Sequence, residues 1–108
     1  MAEFVKVAAV ADVPPGRAKL VEVGGRFIAL YNCAGTFYAT DDTCSHAEAS
    51  LSDGFLEGTT IECPEHGARF DVRTGAATWS PAVIPIATYA VRVEGDDVLL
   101  DPTPQERA

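Results

Sequence analysis

The sequence predicts an all-β domain in which short antiparallel strands form a sandwich or a small barrel. Apolar, β-prone segments recur about every 8–12 residues, a spacing that is typical of such folds. Turn signals separate them, among them Gly24-Gly25, Thr74-Gly75 and Gly95-Asp96-Asp97, whose residues favour hairpins. One stretch, Ala47 to Leu51, suggests a helical turn and is too short to be stable alone.

Each strand is predicted from a run of apolar or β-branched residues that ends at a turn signal. Pro14-Pro15-Gly16 ends the first strand, because proline lacks an amide donor and glycine takes turn dihedral angles. The interval Asp41 to Gly58 is long, polar and short of strand signals, which inside a compact domain indicates a functional or disordered loop. The predicted strands are Phe4 to Val10, Lys19 to Val23, Arg26 to Cys33, Thr36 to Thr40, Thr59 to Cys63, Arg69 to Val72, Thr88 to Glu94 and Val98 to Asp101.

The length of 108 residues suits one domain, residues 1–108, because either half would bury too small a core. With 47% apolar and 22% charged residues, the composition is that of a globular protein. Residues 102–108 include two prolines and several polar residues, so this C-terminal tail is expected to be frayed.

Charge and cysteine content exclude several classes of function. The net charge of −8 argues against a nucleic-acid partner, whose phosphates need Lys and Arg. No apolar run approaches the roughly 20 residues that cross a bilayer. The N-terminus does not read as a secretory signal, so we expect a cytoplasmic protein without a membrane anchor. Three cysteines, an odd number, argue against a disulfide framework there.

Two short motifs carry the chemistry. Cys44-Ser45-His46 and Cys63-Pro64-Glu65-His66 contain both histidines and two of the three cysteines. A single buried Cys or His is usually a core residue, but this joint pattern indicates a metal centre closed from two sides. Structural zinc sites usually group like ligands, whereas each loop here carries one ligand of each type. That mixture suits a [2Fe-2S] centre in which two cysteines hold one iron and two histidines hold the other.

On these motifs the sequence resembles the bacterial Rieske-type ferredoxins that serve aromatic ring-hydroxylating dioxygenases. The resemblance covers nearly the whole chain, from about Phe4 to Asp101. The matching segments are Cys44-Ser45-His46, Cys63-Pro64-Glu65-His66-Gly67, Phe70-Asp71, Thr74-Gly75, Pro81 with Pro85, and Tyr89-Ala90-Val91-Arg92-Val93-Glu94.

The resemblance implies a Rieske fold of stacked antiparallel sheets, with an inserted cluster-binding subdomain at about residues 41–81. It implies one [2Fe-2S] cluster, with Cys44 and Cys63 on the inner iron and His46 and His66 on the outer iron near the surface. It also implies an electron carrier, not an enzyme, between an NAD(P)H-dependent flavoprotein reductase and a terminal Rieske oxygenase. Two alternatives stay open: a small Rieske subunit of a nitrite reductase or another oxidoreductase, and a zinc-stabilised interaction module.

Departures from the respiratory and photosynthetic Rieske proteins imply a low reduction potential. Those proteins form a disulfide between two further cysteines, where this chain has Ala49 and Glu65. They also carry a serine and a tyrosine that donate hydrogen bonds to sulfur, where this chain has Ala68 and Phe70. Fewer donors stabilise the reduced state less, so we expect roughly −150 to −50 mV, at the low end of the Rieske range.

Acidic residues dominate the segment that contains both motifs. No Lys or Arg lies between Asp41 and Ala68. A negative field around the cluster loops is expected to steer docking to basic patches on partner proteins and to make association salt-sensitive. The acidic surface also favours a monomer. The seven acids are Asp41, Asp42, Glu48, Asp53, Glu57, Glu62 and Glu65.

Overall fold

The structure, a computed structural model, describes residues 4–43, 49–65, 67–79 and 85–105. Within these ranges the chain forms eleven short strands and two 3-10 turns, Val10–Asp12 and Leu51–Asp53, and no α-helix. The strands are β1 (Val5–Ala9), β2 (Ala18–Val23), β3 (Arg26–Cys33), β4 (Thr36–Asp41), β5 (Phe55–Glu57), β6 (Thr60–Glu62), β7 (Arg69–Asp71), β8 (Ala77–Trp79), β9 (Thr88–Tyr89), β10 (Val91–Glu94) and β11 (Asp97–Leu100).

The strands form three sheets, and every pairing between neighbouring strands is antiparallel. The first sheet has the order β1-β11-β10, the second β2-β3-β4-β9, and the third β5-β6-β7-β8. Most neighbours in a sheet are also neighbours in the chain, so short turns join them, as the glycine-containing turn signals predict. The all-β, antiparallel class predicted from the sequence is confirmed.

Strand β3 lies between two apolar cores because both of its faces are buried. Successive side chains of a strand point to opposite faces. Ile28 and Leu30 pack with Val98 and Leu100 of the first sheet, whereas Tyr31 belongs to a second core that reaches the third sheet. This double burial explains why the sequence of β3 is a continuous apolar run rather than an alternating one.

The third sheet is inserted between two strands that pair with each other. β4 and β9 are adjacent in the second sheet, with Ala39 opposite Tyr89 and Thr40 opposite Thr88. The chain therefore leaves the second sheet after β4, builds the third sheet, and returns beside the point at which it left. The second core holds the third sheet against the second sheet. Its buried members are Ala29, Tyr31, Leu51, Ile61, Cys63, Ala68, Phe70, Val72 and Ile86.

The structure differs from the predicted strands in three places. The strands β5 and β8 were not predicted; each has three residues, too few to show an alternating pattern. The single strand predicted from Thr88 to Glu94 is two strands in different sheets, separated at Ala90. The helical turn predicted within Ala47 to Leu51 falls partly outside the described residues, and the observed 3-10 turn begins at Leu51.

The C-terminal tail is hydrogen-bonded to the domain over more residues than the sequence predicts. The Gln105 amide donates to the Thr88 carbonyl at 2.8 Å, and the Thr88 hydroxyl donates to the Gln105 side chain at 3.0 Å. The tail is therefore attached to β9 as far as Gln105, in contrast to the frayed tail predicted from residue 102; residues 106–108 lie outside the described ranges. No helix in the described part of the chain is long and apolar enough to span a bilayer.

Candidate metal centre

The pairing register of the third sheet places two of its connecting segments at the same edge of the sheet. Phe55 pairs with Glu62, Glu62 with Arg69, and Arg69 with Trp79, so these four residues form one row across β5, β6, β7 and β8. At this row β5 and β7 begin, while β6 and β8 end. The segment that enters β5 and the loop that joins β6 to β7 therefore meet at the same edge of the sheet.

The loop from Cys63 to Ala68 is closed at its base by backbone hydrogen bonds. The Cys63 amide donates to the Ala68 carbonyl at 2.7 Å, and the Gly67 amide donates to the Cys63 carbonyl at 3.2 Å. Gly67 has a φ of +73°, a left-handed conformation that glycine adopts without a steric penalty. Pro64 and Glu65 are exposed, so the loop presents its tip to solvent.

Cys63 lies on the inner side of this loop. Its side chain is 1% exposed and belongs to the second core, together with Leu51, Ile61 and Phe70. A thiolate ligand shielded from water suits an iron–sulfur centre, whose properties depend on how far solvent is excluded. The described donor therefore fits the group that the motif predicts.

The second motif-bearing segment, which contains Cys44 and His46, follows β4. The residues on its far side are hydrogen-bonded to Asp42, the residue after β4. The carboxylate of Asp42 accepts a hydrogen bond from the Ser50 hydroxyl at 2.5 Å and one from the Ser52 amide at 2.9 Å. The Asp42 carbonyl accepts the Leu51 amide at 2.7 Å, and Thr43 forms an isolated bridge with Ser50. Residues 42–43 and 50–52 are thus bonded across the segment that contains Cys44 and His46.

Asp41 joins the same strand end to β9. Its carboxylate accepts hydrogen bonds from the Tyr89 hydroxyl at 2.5 Å and from the Ala87 amide at 3.3 Å. Burial and, secondarily, the hydrogen bond to Asp41 raise the pKa of Tyr89 to about 12. The phenol therefore stays protonated and keeps donating to Asp41 throughout the physiological pH range.

Of the four predicted ligands, the structure places Cys63. Cys44, His46 and His66 lie outside the described residues, so the complete ligand set stays a prediction. The register of the third sheet places the segment that enters β5 beside the loop of Cys63, and it depends on β5, a strand that sequence reasoning missed.

The described members of the predicted acidic set differ in their contacts and exposure. Asp41 and Asp42 are engaged in the hydrogen bonds described above, and Glu62 pairs with Arg69 at 3.0 Å. Glu48 lies outside the described residues. The exposed members of the set are Asp53, Glu57 and Glu65.

Sequence reasoning also missed the role of Asp42. It treated Asp42 as one surface charge among seven, whereas the side chain is 5% exposed. The available signal was weak: an acid two residues before a Cys-x-His motif, followed by Ser50 and Ser52 at the far end of the same loop.

Comparisons with known proteins identify the family of the chain. The family model for the Rieske [2Fe-2S] domain matches residues 3–90. The ferredoxin component of biphenyl 2,3-dioxygenase from Rhodococcus jostii (strain RHA1) is 47% identical over 96 residues, which cover 89% of this chain and 90% of that protein. The ferredoxin component of the naphthalene 1,2-dioxygenase system from Pseudomonas aeruginosa is 46% identical over 99 residues, 92% of this chain and 95% of that protein.

A solved structure is similar over nearly the whole chain. It is a chain in the complex of reduced oxygenase and oxidized ferredoxin in carbazole 1,9a-dioxygenase, with a TM-score of 0.90 and 40% sequence identity. The match covers 96% of this chain and 97% of that chain. The resemblance drawn from the two Cys/His motifs is confirmed: this chain belongs to the Rieske [2Fe-2S] domain family, alongside the ferredoxin components of bacterial aromatic ring-hydroxylating dioxygenases.

Proposed function

We propose that this chain is a low-potential electron carrier that delivers single electrons to a terminal aromatic-ring dioxygenase. The observation that carries the proposal is the identity of 46–47% with two ferredoxin components of dioxygenase systems, over about nine tenths of the chain. A bound [2Fe-2S] cluster supplies a one-electron couple. The ligands are Cys44 and Cys63 on the inner iron and His46 and His66 on the outer iron, within a cluster-binding subdomain at about residues 41–81.

The surroundings of Cys63 support this division of ligands. Its buried side chain suits the inner iron, because the second core excludes water from that side. His66 follows two exposed residues, Pro64 and Glu65, in the chain. An imidazole at a surface gives a partner protein a short electron path and couples the potential to pH near the imidazole pKa.

The proposed partners are an NAD(P)H-dependent flavoprotein reductase as electron donor and a terminal Rieske oxygenase as acceptor. The names of the two relatives describe components of multicomponent dioxygenases, and the similar solved chain comes from a complex of an oxygenase with a ferredoxin. In this proposal the chain is a cytoplasmic monomer that transfers electrons and catalyses no reaction on its own.

The relatives also bear on the two alternatives. A small subunit of a nitrite reductase shares the cofactor class, but the two relatives described above are components of dioxygenase systems. A zinc-stabilised module is disfavoured by membership of a [2Fe-2S] family and by the mixed Cys/His loops.

Electron delivery to an oxygenase tests the proposal. The pre-reduced chain is mixed anaerobically in a stopped-flow instrument with the oxidised terminal oxygenase of a naphthalene or biphenyl dioxygenase, and reoxidation is followed by absorbance. We expect reoxidation to accelerate in proportion to oxygenase concentration. The Cys63→Ser variant, treated identically, provides the baseline. A cluster-loaded chain whose reoxidation is independent of both oxygenases would contradict the proposed acceptor.

A further inference from the structure

Asp42 is a buried acid whose hydrogen-bond partners all belong to residues 50–52, which follow the Cys44–His46 motif, or to β3. Its amide donates to the Phe27 carbonyl at 3.1 Å, which fixes the residue against the second sheet. Its carbonyl and carboxylate accept three hydrogen bonds from Ser50, Leu51 and Ser52, on the far side of the loop. The residue therefore joins the sheet to both ends of the loop.

The hydroxyl groups on the far side are ordered by this carboxylate. Ser50 Oγ lies 2.8 Å from Ser52 Oγ. Because the Ser50 hydroxyl donates its one hydrogen to Asp42, it must accept the hydrogen of Ser52. Asp42, Ser50 and Ser52 thus form a directed chain of hydrogen bonds that ends on the carboxylate.

Burying a carboxylate costs free energy unless ion pairs or hydrogen bonds compensate. None of the four ion pairs in the described ranges involves Asp42. The serine hydroxyl and the serine amide provide the compensation instead. A carboxylate acceptor forms stronger hydrogen bonds than a neutral acceptor does, so this site favours aspartate over an uncharged residue.

The attachment has a direct consequence for the position of Cys63. Leu51, whose amide donates to Asp42, is fully buried in the same core as Cys63. Closing the loop at Asp42 therefore also packs Leu51 into the core around the second motif. The two motifs share a structural base although 19 positions separate Cys44 from Cys63 in the sequence.

We propose that Asp42 is a positioning residue of the metal centre: its carboxylate and carbonyl bond the end of β4 to residues 50–52, beyond the Cys44–His46 motif and beside the core of Cys63, and its charge lowers the reduction potential. This inference rests on the proposed function. The charge acts because Asp42 lies two residues before Cys44, a proposed ligand of the centre that gains the electron, and buried charges are screened less by solvent than exposed ones.

Two nearby acids provide matched controls. Asp41 adjoins Asp42 and is also hydrogen-bonded, but to Tyr89 and Ala87, so it joins β4 to β9 and not to the ligand loop. Asp53 is exposed, close in sequence to the far side of the loop. Asp41→Asn tests for general weakening of the β4 end, and Asp53→Asn tests for removal of one charge.

The experiment compares iron release to a chelator, the EPR spectrum and the reduction potential across Asp42→Ala, Asp42→Asn, Asp41→Asn and Asp53→Asn. We expect Asp42→Ala to release iron about tenfold faster than the parent, since a hydrogen-bonded charged acceptor is lost, and to shift the EPR g values. Asp42→Asn keeps an acceptor oxygen, so it should release iron at a rate closer to that of the parent. Because it lacks the charge, its reduction potential should be more positive than that of the parent. Asp53→Asn shifts the potential less and leaves retention unchanged.

The proposal is overturned if Asp42→Ala retains iron and g values like the parent, or if Asp41→Asn changes both as much as Asp42→Ala does. Should Asp42→Ala fail to fold, Ser50→Ala is the deciding variant, because it removes one hydrogen-bond donor and keeps the carboxylate. We expect this variant to release iron faster and to show faster hydrogen exchange at the Ser52 amide. Values equal to those of the parent would overturn the proposal. If the parent protein itself contains no iron and no sulfide, the proposed function is contradicted rather than the role of Asp42. The same iron assay distinguishes these two outcomes.

Discussion

Cys33 and Cys63 touch the same apolar core, yet their environments give them different chemistry. Cys63 is buried within a closed loop, whereas Cys33 is half-buried at the end of β3 and in no disulfide. Burial first, and then the charge of Asp71, raise the pKa of the Cys33 thiol. The raised pKa makes Cys33 a weak nucleophile that packs against the core, and we expect it not to be a ligand of the cluster.

This difference predicts the pH dependence of thiol labelling. A raised pKa leaves less thiolate at any given pH, so alkylation of Cys33 by iodoacetamide in the cluster-loaded protein is expected to reach half its maximal rate above the ordinary thiol pKa of 9.0. Asp71→Asn should lower that midpoint, and Glu62→Gln, which removes a carboxylate paired with Arg69, should not. A midpoint below 9.0 in the parent protein contradicts the assignment. The Cys33→Ser variant should keep its iron.

Ala68 and Phe70 set the expected potential of the centre. Both side chains are fully buried beside Cys63, and neither carries a hydroxyl that could donate a hydrogen bond towards sulfur. Redox titration of the parent should give roughly −150 to −50 mV, and both Ala68→Ser and Phe70→Tyr should raise it. Val72→Thr, a hydroxyl added elsewhere in the same core, is the control. A parental potential above about +100 mV would contradict this account.

Gly54, before β5, and Gly75, between β7 and β8, permit two close backbone approaches next to the third sheet. A Cβ at Gly54 would overlap the carbonyl oxygen of Glu62, and one at Gly75 would overlap the carbonyl oxygen of Ile86. Gly75 also accepts the Ile86 amide at 2.9 Å. The turn between β7 and β8 is thus bonded to the segment that returns to β9, which holds the third sheet at its second attachment to the domain.

The turn at Gly75 gives a prediction at the scale of an element. Gly75 and Gly95 both have positive φ, +78° and +62°, but no atom lies within 4 Å of a Cβ at Gly95. Gly95→Ala should therefore cost the left-handed strain alone, about 1–2 kcal/mol of unfolding free energy. Gly75→Ala should cost about 1–3 kcal/mol more, because the methyl group collides with backbone. Urea unfolding measures both; equal losses would show that the approach to Ile86 is unimportant.

Periodicity predicted the strands that bury a face over many residues and failed where a strand is short or changes sheet. β3 was found because this strand of eight residues contains the apolar run Phe27 to Tyr31, which from Ile28 onward is buried on both faces. β5 has three residues and is defined by its pairing with β6, a contact that the local pattern does not show. The break at Ala90 interrupts no apolar pattern, since β9 and β10 differ in the sheet to which they bond.

The sequence likewise predicted one part of the candidate site, the ligand motifs, but not the contacts around them. Residue type and spacing identify Cys63 as a ligand candidate, because few chemistries need Cys and His so close together. The role of Asp42 depends on Ser50 and Ser52, which approach it through an irregular loop. An acid that is buried by such a loop has the same sequence pattern as a surface acid.

For the whole molecule, the distribution of charge bears on partner association. Among the described acids of the predicted set, Asp53, Glu57 and Glu65 are exposed and can meet a partner directly, whereas Asp41, Asp42 and Glu62 make internal contacts.

Electron transfer to the oxygenase is accordingly expected to slow as ionic strength rises, because the Debye length falls from about 10 Å at 0.1 M to about 3 Å at 1 M salt. Stopped-flow rates over this range measure the slope. Glu57→Gln and Glu65→Gln should flatten it, whereas Glu22→Gln, on β2, should not. A flat profile for the parent removes electrostatic steering from the account.

We infer that this chain carries a Rieske cluster held by Cys44, His46, Cys63 and His66. EPR of the dithionite-reduced protein, with iron and acid-labile sulfide assayed on the same sample, tests it most directly. We expect an anisotropic spectrum whose average g lies below the free-electron value, with about two irons and two sulfides per chain. A silent sample that contains zinc and no sulfide would contradict it.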